Sequence, residues 1–526
     1  MDTLFLTSKI EIKVRLKGVV QELTKFYRMI EDGFGGYFIQ PSEEGNKLER
    51  LFNQYMNSGL SEQEIQGHLY PKDSSKAFMM LRKELSNRLF RYVLAVDSKR
   101  FSSSKRVIQF INILKNAIAG RVLLFLGLYK SGLHLSKQTI KEAIEEEVWD
   151  VVFTLASVLS TFFSIRGNSQ GFREYDELAD FALQRISSER VLRKMINKWS
   201  LRYGRRRKAT RDDIKELESD VREGDAIIMT TSTPNLLHFN YRLKLLYYDA
   251  TMNYEQAILI CNEARETLQS SQKNVDKGKL GIYHGTQMYC YLNLKKFEEA
   301  SAFAEKLDEY FVVGTLNWYN ITEYYFVLCI QTGRYDQAYD QLIKARRSGN
   351  HDQLVGVQAQ VWSLFEGYMQ FVISGGLWKN PSILIEGKNF KVARFLNEVV
   401  SLSGDKTGIH VSVLILQIMF LLQQGRYEDI IDRKDALRRY VYRYLYSKEN
   451  ERSRIFLNML LRMIECDFSY SITKTKTQRL YKSLSEQQMN YQANLGGNEI
   501  VDYEVLWNWT LDTIKGSLTW KSAAAS

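Results

Sequence analysis

Apolar residues along this chain recur every three or four positions in blocks such as "INILKNAIAGRVLLFL", "VVFTLASVLSTFFSI", "YHGTQMYCYLNL", "ITEYYFVLCIQT" and "VSVLILQIMFLL". That is the period of a helix with one buried side, not of a strand. Within Val151–Ile165 the polar residues Thr154, Ser157, Thr161 and Ser164 stand at 3-4-3 spacing, a single narrow stripe on a core helix. Short polar turns separate the blocks, and many end on an aromatic residue with a small one three places later. The pairs are Tyr254/Ala257, Phe297/Ala300, Tyr335/Ala338 and Phe390/Ala393, then Tyr427 with Ile430 in the small place. Successive aromatics are 43, 38, 55 and 37 residues apart (297 − 254, 335 − 297, 390 − 335, 427 − 390). The long step coincides with "SGGLWKNPSILIEGKN", Ser374–Asn389, a Gly/Pro-containing insertion.

Each unit therefore predicts helix, short turn, helix. The aromatic fills the gap between paired helices, the small residue lets their backbones approach, and stacked neighbours share one core. A weaker copy stands upstream at Tyr129 and Gly132. Proline strengthens the reading: the chain has only 4, against about 26 at average usage, which favours long uninterrupted helices.

These units resemble the tetratricopeptide repeat over about residues 236–445. Its small positions are met at Ala257, Ala300 and Ala338, and its later alanine at Ala264 and Ala345. The periods exceed that family's, its first-helix Trp and Gly are missing, and no unit ends in Pro. The chain's length, "LFNQYMNSGLSEQEI" and the Trp-containing end are loosely similar to uncharacterised bacterial helical-repeat proteins. The resemblance implies an all-α protein, a solenoid of helical hairpins wound as a right-handed tetratricopeptide-like superhelix. The expected organisation is a helical domain of degenerate hairpins over 1–204, a charged hinge over 205–235, the repeat array over 236–485 and a capping helix with tail over 486–526. Trp507 and Trp509 are expected to cap the last apolar face, and "SAAAS" to be disordered. Thr210 with Asp213 has capping-box spacing and predicts a helix start.

Function follows as an expectation: a non-catalytic scaffold or adaptor that holds a protein or peptide, acidic partners included, in its concave face. In the resembled register the groove-facing residues are Arg242, Asp249, Tyr289, Asn293, Asn320, Glu323 and Gln331. The family's Lys/Asn carboxylate clamp is not reproduced, since Leu246 occupies one of its asparagine places. The net charge of +11 leaves a competing class open, nucleic-acid binding. Its candidates are Arg205, Arg206, Arg207 and Lys208 in the hinge, and Arg438, Arg439, Tyr442 and Arg443 in "RRYVYRYLYSK", which predicts a helix with half its tyrosines packed or else an Arg/Tyr stacking strand. Residues 426–482 hold 14 Lys/Arg against 8 Asp/Glu.

Catalytic signals are weak. "GNSQG" places Ser169 in a G-x-S-x-G spacing without the strand it needs. Asp405 in "GDKTGI" and Gly33 in "GFGG" also lack the surroundings of their motifs. The six histidines and four scattered cysteines show no metal-ligand or disulfide spacing. No catalytic residue, metal or cofactor is expected. A cytoplasmic location is expected from the cysteine usage and the absence of a basic n-region, and no membrane insertion, because the two most apolar runs fall short of the roughly 18–20 residues a span needs.

Overall fold

The computed structural model describes residues 47–57, 62–70, 75–100, 105–203, 209–271, 277–348, 351, 354, 356–379, 409–446, 450–487 and 499–524. Among them are 22 α-helices, one short 3₁₀ turn and no strand. The candidate residues Arg205–Lys208, Asp405 and Gly33, and the Phe390/Ala393 repeat, lie outside the described residues.

The chain forms two compact units, 1–184 and 185–526. The first holds α1 (Lys47–Asn57), α2 (Glu62–Leu69), α3 (Ser75–Ala95), α4 (Lys105–Phe125), α5 (Tyr129–Glu145), α6 (Trp149–Ile165) and the start of α7 (Ser169–Tyr203). The second continues α7 and adds α8 (Arg211–Thr230), α9 (Pro234–Ala250), α10 (Tyr254–Ser271), α11 (Lys277–Asn293), α12 (Phe297–Ala304), α13 (Leu307–Tyr310), α14 (Leu316–Gln331), α15 (Tyr335–Arg347) and α16 (Gly356–Ser374). Then come α17 (Ile409–Gln423), α18 (Tyr427–Asp432), α19 (Lys434–Tyr444), α20 (Glu451–Glu465), α21 (Tyr470–Ser485) and α22 (Tyr503–Ala524). Within each unit, helices pack chiefly on their neighbours in sequence and on the next but one. This consecutive pairing is consistent with a helical repeat. In the second unit one apolar cluster runs from Tyr241 to Ile514, and another gathers Leu192, Trp199, Leu217 and Leu243.

The turns explain the repeated phrases. At Gly127, Glu147, Gly167, Met252, Lys295, Gly333 and Gly425 the backbone takes φ between +55° and +80°. The N–H of the residue after each donates to the carbonyl five residues back, at 2.8–2.9 Å. This is the Schellman closure, which satisfies helix-end carbonyls and needs a left-handed residue. The next residue opens a helix: Tyr129, Trp149, Ser169, Tyr254, Phe297, Tyr335 and Tyr427. Ala257, Ala300, Ala338 and Ile430, three places into their helices, are all buried. Two further members went unrecognised in sequence. Trp149/Val152 follows the non-glycine turn residue Glu147, and Tyr470/Thr473 follows a turn with left-handed Asp467 and Phe468; Val152 and Thr473 are both buried.

Two expectations change. The second helices of two units are not continuous: α12 and α13 break at Glu305–Lys306, and α18 and α19 at Arg433, whose guanidinium donates to the Asp429 carbonyl at 2.7 Å. The helix α22 runs through Ala524 rather than ending before "SAAAS", as suits the strong helix preference of alanine. Separately, α4, 21 residues long, is long and apolar enough to cross a membrane by length and composition alone, with 22% of its most apolar window buried. Within the expected hinge, α8 starts on the predicted capping box, Thr210 with Asp213. Its acids meet the end of α7 through Arg202–Asp213 at 3.0 Å, Arg202–Glu216 at 2.6 Å and Lys198–Glu216 at 3.1 Å.

Candidate functional site

The first helices of three successive hairpins, α9, α11 and α14, wall a cavity of about 360 Å³ in the second unit. On α9, Arg242, Leu245, Leu246 and Asp249 line it at i, i+3, i+4 and i+7, one face over two turns. From α11 come Ile282, Thr286 and Tyr289, and from α14 Asn317, Asn320, Ile321 and Tyr324. Close packing sets this shape. A Cβ on Gly285 would stand 2.5 Å from Ile321, so only glycine lets α14 sit this near α11.

Of the seven expected groove residues, the cavity brings together Arg242, Asp249, Tyr289 and Asn320. The other three do not line it. Asn293 is fully buried and donates its side-chain amide to the Tyr289 carbonyl at 3.0 Å. Glu323 is buried. The Gln331 amide donates to the Glu499 and Ile500 carbonyls, both at 3.1 Å, and so holds the C-terminal segment. Sequence register alone misses Asn317, Thr286 and Ile321, which also line the cavity.

Arg242 forms no ion pair or hydrogen bond among the described residues. Burial lowers its pKa from the ordinary arginine value; the Tyr283 phenol opposes that and Arg193 adds to it. The group remains cationic at neutral pH. Two turns along α9, the Tyr289 hydroxyl donates to Asp249 Oδ1 at 2.5 Å. Burial raises the Asp249 pKa to about 6 against the pull of that hydrogen bond. Burial and then the Asp249 charge push the Tyr289 phenol well above its usual range. Tyr289 also packs against Tyr254 and Tyr324, ring centroids 5.8 and 4.8 Å away. Asn320, which lines the cavity, accepts at Oδ1 from the Gln358 amide at 2.9 Å. An unpaired guanidinium among amides and aromatic rings can receive a carboxylate.

No protein-family model, curated protein or solved structure matches this chain.

The competing candidates are placed as follows. "RRYVYRYLYSK" is helical through Tyr444 rather than a strand. Tyr440 and Tyr444 pack 5.2 Å apart, while Tyr442 and Tyr446 are exposed. Arg438 is committed to Glu465 at 2.7 Å, and Arg439 and Arg443 are exposed. Ser169 is the first residue of α7, after the Gly167 turn. Gly171 packs where a Cβ would meet the Phe163 ring at 2.7 Å, and Gly167 has φ of +69° with open space around it, so the first glycine of "GNSQG" has a backbone reason and the second a packing one. Among the described residues three carboxylates gather at Glu499, Asp502 and Glu504. Arg452 pairs with Glu499 at 2.5 Å and Glu504 at 2.6 Å, and Lys295 with Asp502 at 3.4 Å, so each of the three carboxylates already has a resident cation beside it. The four cysteines are buried free thiols.

Proposed function

We propose that this protein is a non-catalytic scaffold, a tetratricopeptide-like solenoid that holds a protein or peptide partner, with the α9–α11–α14 cavity receiving an acidic group of that partner. Arg242 carries the reading: a half-buried cation, without a protein counter-ion among the described residues, opens into a cavity that also offers Asn317 and Asn320. Burying a charge without a partner is costly, and a ligand carboxylate removes that cost while gaining a charge-assisted hydrogen bond. The remaining walls, Leu245, Leu246, Ile321 and Tyr324, suit an apolar neighbour of that carboxylate. A scaffold of this kind acts without a cofactor.

The test is a peptide array probed with the full chain and with Arg242→Gln. Peptides rich in Asp or Glu, or ending in a free carboxylate, should be retained by the parent and lost by the variant, with melting temperatures equal. Indifference to peptide charge, or equal retention by Arg242→Gln, would overturn the assignment. Tyr289 is a poor choice for this purpose, because its ring is packed and its loss perturbs folding.

A second reading, nucleic-acid binding through α19, is favoured by the exposed Tyr442 and Tyr446 beside Arg439 and Arg443. It predicts single-strand binding that weakens steeply with salt, whereas a cavity gripping apolar neighbours changes less.

A further inference from the structure

The three-residue turns make α4 and α6 parallel to each other and antiparallel to α5, so the C-terminal ends of α4 and α6 share one end of the first unit. That end is apolar and uncovered. Phe125 is 91% exposed, Ile165 82%, Leu126 64% and Leu128 54%. Phe125 and Ile165 flank an open groove of about 650 Å³ between α4 and α6, floored by Ile118, Val122 and Val158. Soluble surfaces carry single exposed apolar residues routinely, but a contiguous patch of this kind marks an interaction site.

The charge around it is one-sided. From Asn116 to Ser136 the chain has Arg121 and Lys130 and no Asp or Glu, and from Val151 to Arg173 it has Arg166 and Arg173 and again no acid. Arg121 lies on the groove wall. Arg166 stacks over the Tyr129 and Phe162 rings at 4.3 and 4.5 Å, and Lys130 follows Tyr129 at the same turn. None of Arg121, Lys130 and Arg166 has a carboxylate partner among the described residues.

We propose that this end of the first unit docks on an anionic lipid surface. Phe125, Leu126, Leu128 and Ile165 enter the interfacial layer, and Arg121, Lys130 and Arg166 meet the phosphates around them. Aliphatic tips ringed by cations fit the boundary between acyl chains and headgroups, where each cation contributes through the negative surface potential. A second copy of the chain fits poorly, because a self-complementary contact would set these cations against their own copies. Nucleic acid fits poorly as well, since of the four exposed tips only Phe125 offers bases a flat face to stack on. Docking of this kind leaves the chain on one side of the bilayer.

The experiment is co-sedimentation of the full chain with vesicles of phosphatidylcholine alone and of equal parts phosphatidylcholine and phosphatidylglycerol. The parent should sediment with the mixed vesicles only, and high salt should release it. Phe125→Ser with Ile165→Ser should abolish sedimentation; both side chains stand in solvent, so the fold should keep its melting temperature. Arg121→Gln, Lys130→Gln and Arg166→Gln together should lower vesicle affinity by roughly a hundredfold. Three results would overturn the proposal: no sedimentation of the parent, sedimentation unchanged in the serine variant, or a concentration-dependent dimer that the serine variant dissolves.

Discussion

Two buried titrating residues, Asp249 and His284, have opposite effects on stability in the same pH range. Burial raises Asp249 to about 6. The folded state then binds its proton more tightly than the unfolded chain, so this contribution favours folding at low pH and is lost as pH rises from about 4 to about 6. His284 sits between Phe303 and Tyr310, ring centroids 4.8 and 4.7 Å away. Burial, then Arg265 and Lys306, lowers it to about 4. Here the unfolded chain holds the proton more tightly, so stability grows as pH rises from about 4 to about 6.5. Relative to the parent, Asp249→Asn should gain stability with rising pH across this window, and His284→Phe should lose it. Melting curves between pH 4 and pH 7 check both slopes. A variant that tracks the parent at every pH would show that its residue does not titrate there. The Asp249 carboxylate was recognisable in sequence as groove-facing, but its protonation was not, because desolvation depends on how closely α11 lies against α9.

At the scale of the element, seven turns share one backbone path but not one residue type. Gly333 and Gly425 take a left-handed conformation that costs other residues roughly 1–2 kcal/mol. Met252 takes the same conformation at φ 55° without being glycine, and its side chain is exposed. Gly333→Ala should therefore destabilise by about 1 kcal/mol, and Met252→Gly should be neutral or stabilise by up to about 1 kcal/mol. Urea unfolding of the two variants checks the pair; a stabilising Gly333→Ala would mean that the turn can relax. This explains how much of the repeat sequence could reveal. "GRYDQA" and "GRYEDI" were legible because glycine marks the turn. "EEEVW" and "CDFSY" were not, since they lack both the glycine and an alanine three places on; the Tyr254 and Phe297 units, with Met252 and Lys295 in the left-handed place, were still legible through Ala257 and Ala300.

At the scale of the second unit, closure depends on one buried cation. The Arg452 guanidinium donates to Glu499 at 2.8 and 2.5 Å, to Glu504 at 2.6 Å and to the Leu484 and Gln487 carbonyls at 2.8 and 3.0 Å. It thereby fixes the segment that leads into α22, whose Trp507 enters the core while Trp509 Nε1 donates to the Gly375 carbonyl at 2.9 Å. Removing one partner of a buried pair typically costs about 3–5 kcal/mol, because the remaining charge stays desolvated. Arg452→Met should destabilise by that amount, and adding Glu499→Gln and Glu504→Gln should recover part of it. Denaturant midpoints of the single and triple variants measure the coupling. Equal stability of Arg452→Met and the parent would show that the carboxylates reach water.

What the sequence by itself determined is the class and the rhythm: helices throughout, paired across short turns, with an aromatic opening the second helix and a small residue buried three places on. Those features are local, set by periodicity, proline scarcity and turn chemistry within a few residues. Only the tertiary structure decided which polar residues meet. Arg242 and Asn320 come from helices 78 residues apart in sequence (320 − 242), and Gln331 reaches the backbone of residue 499, so one became a cavity wall and the other a structural tie. Such meetings depend on how closely neighbouring helices approach, as α11 and α14 do at Gly285, and that is not written in the spacing of any single helix.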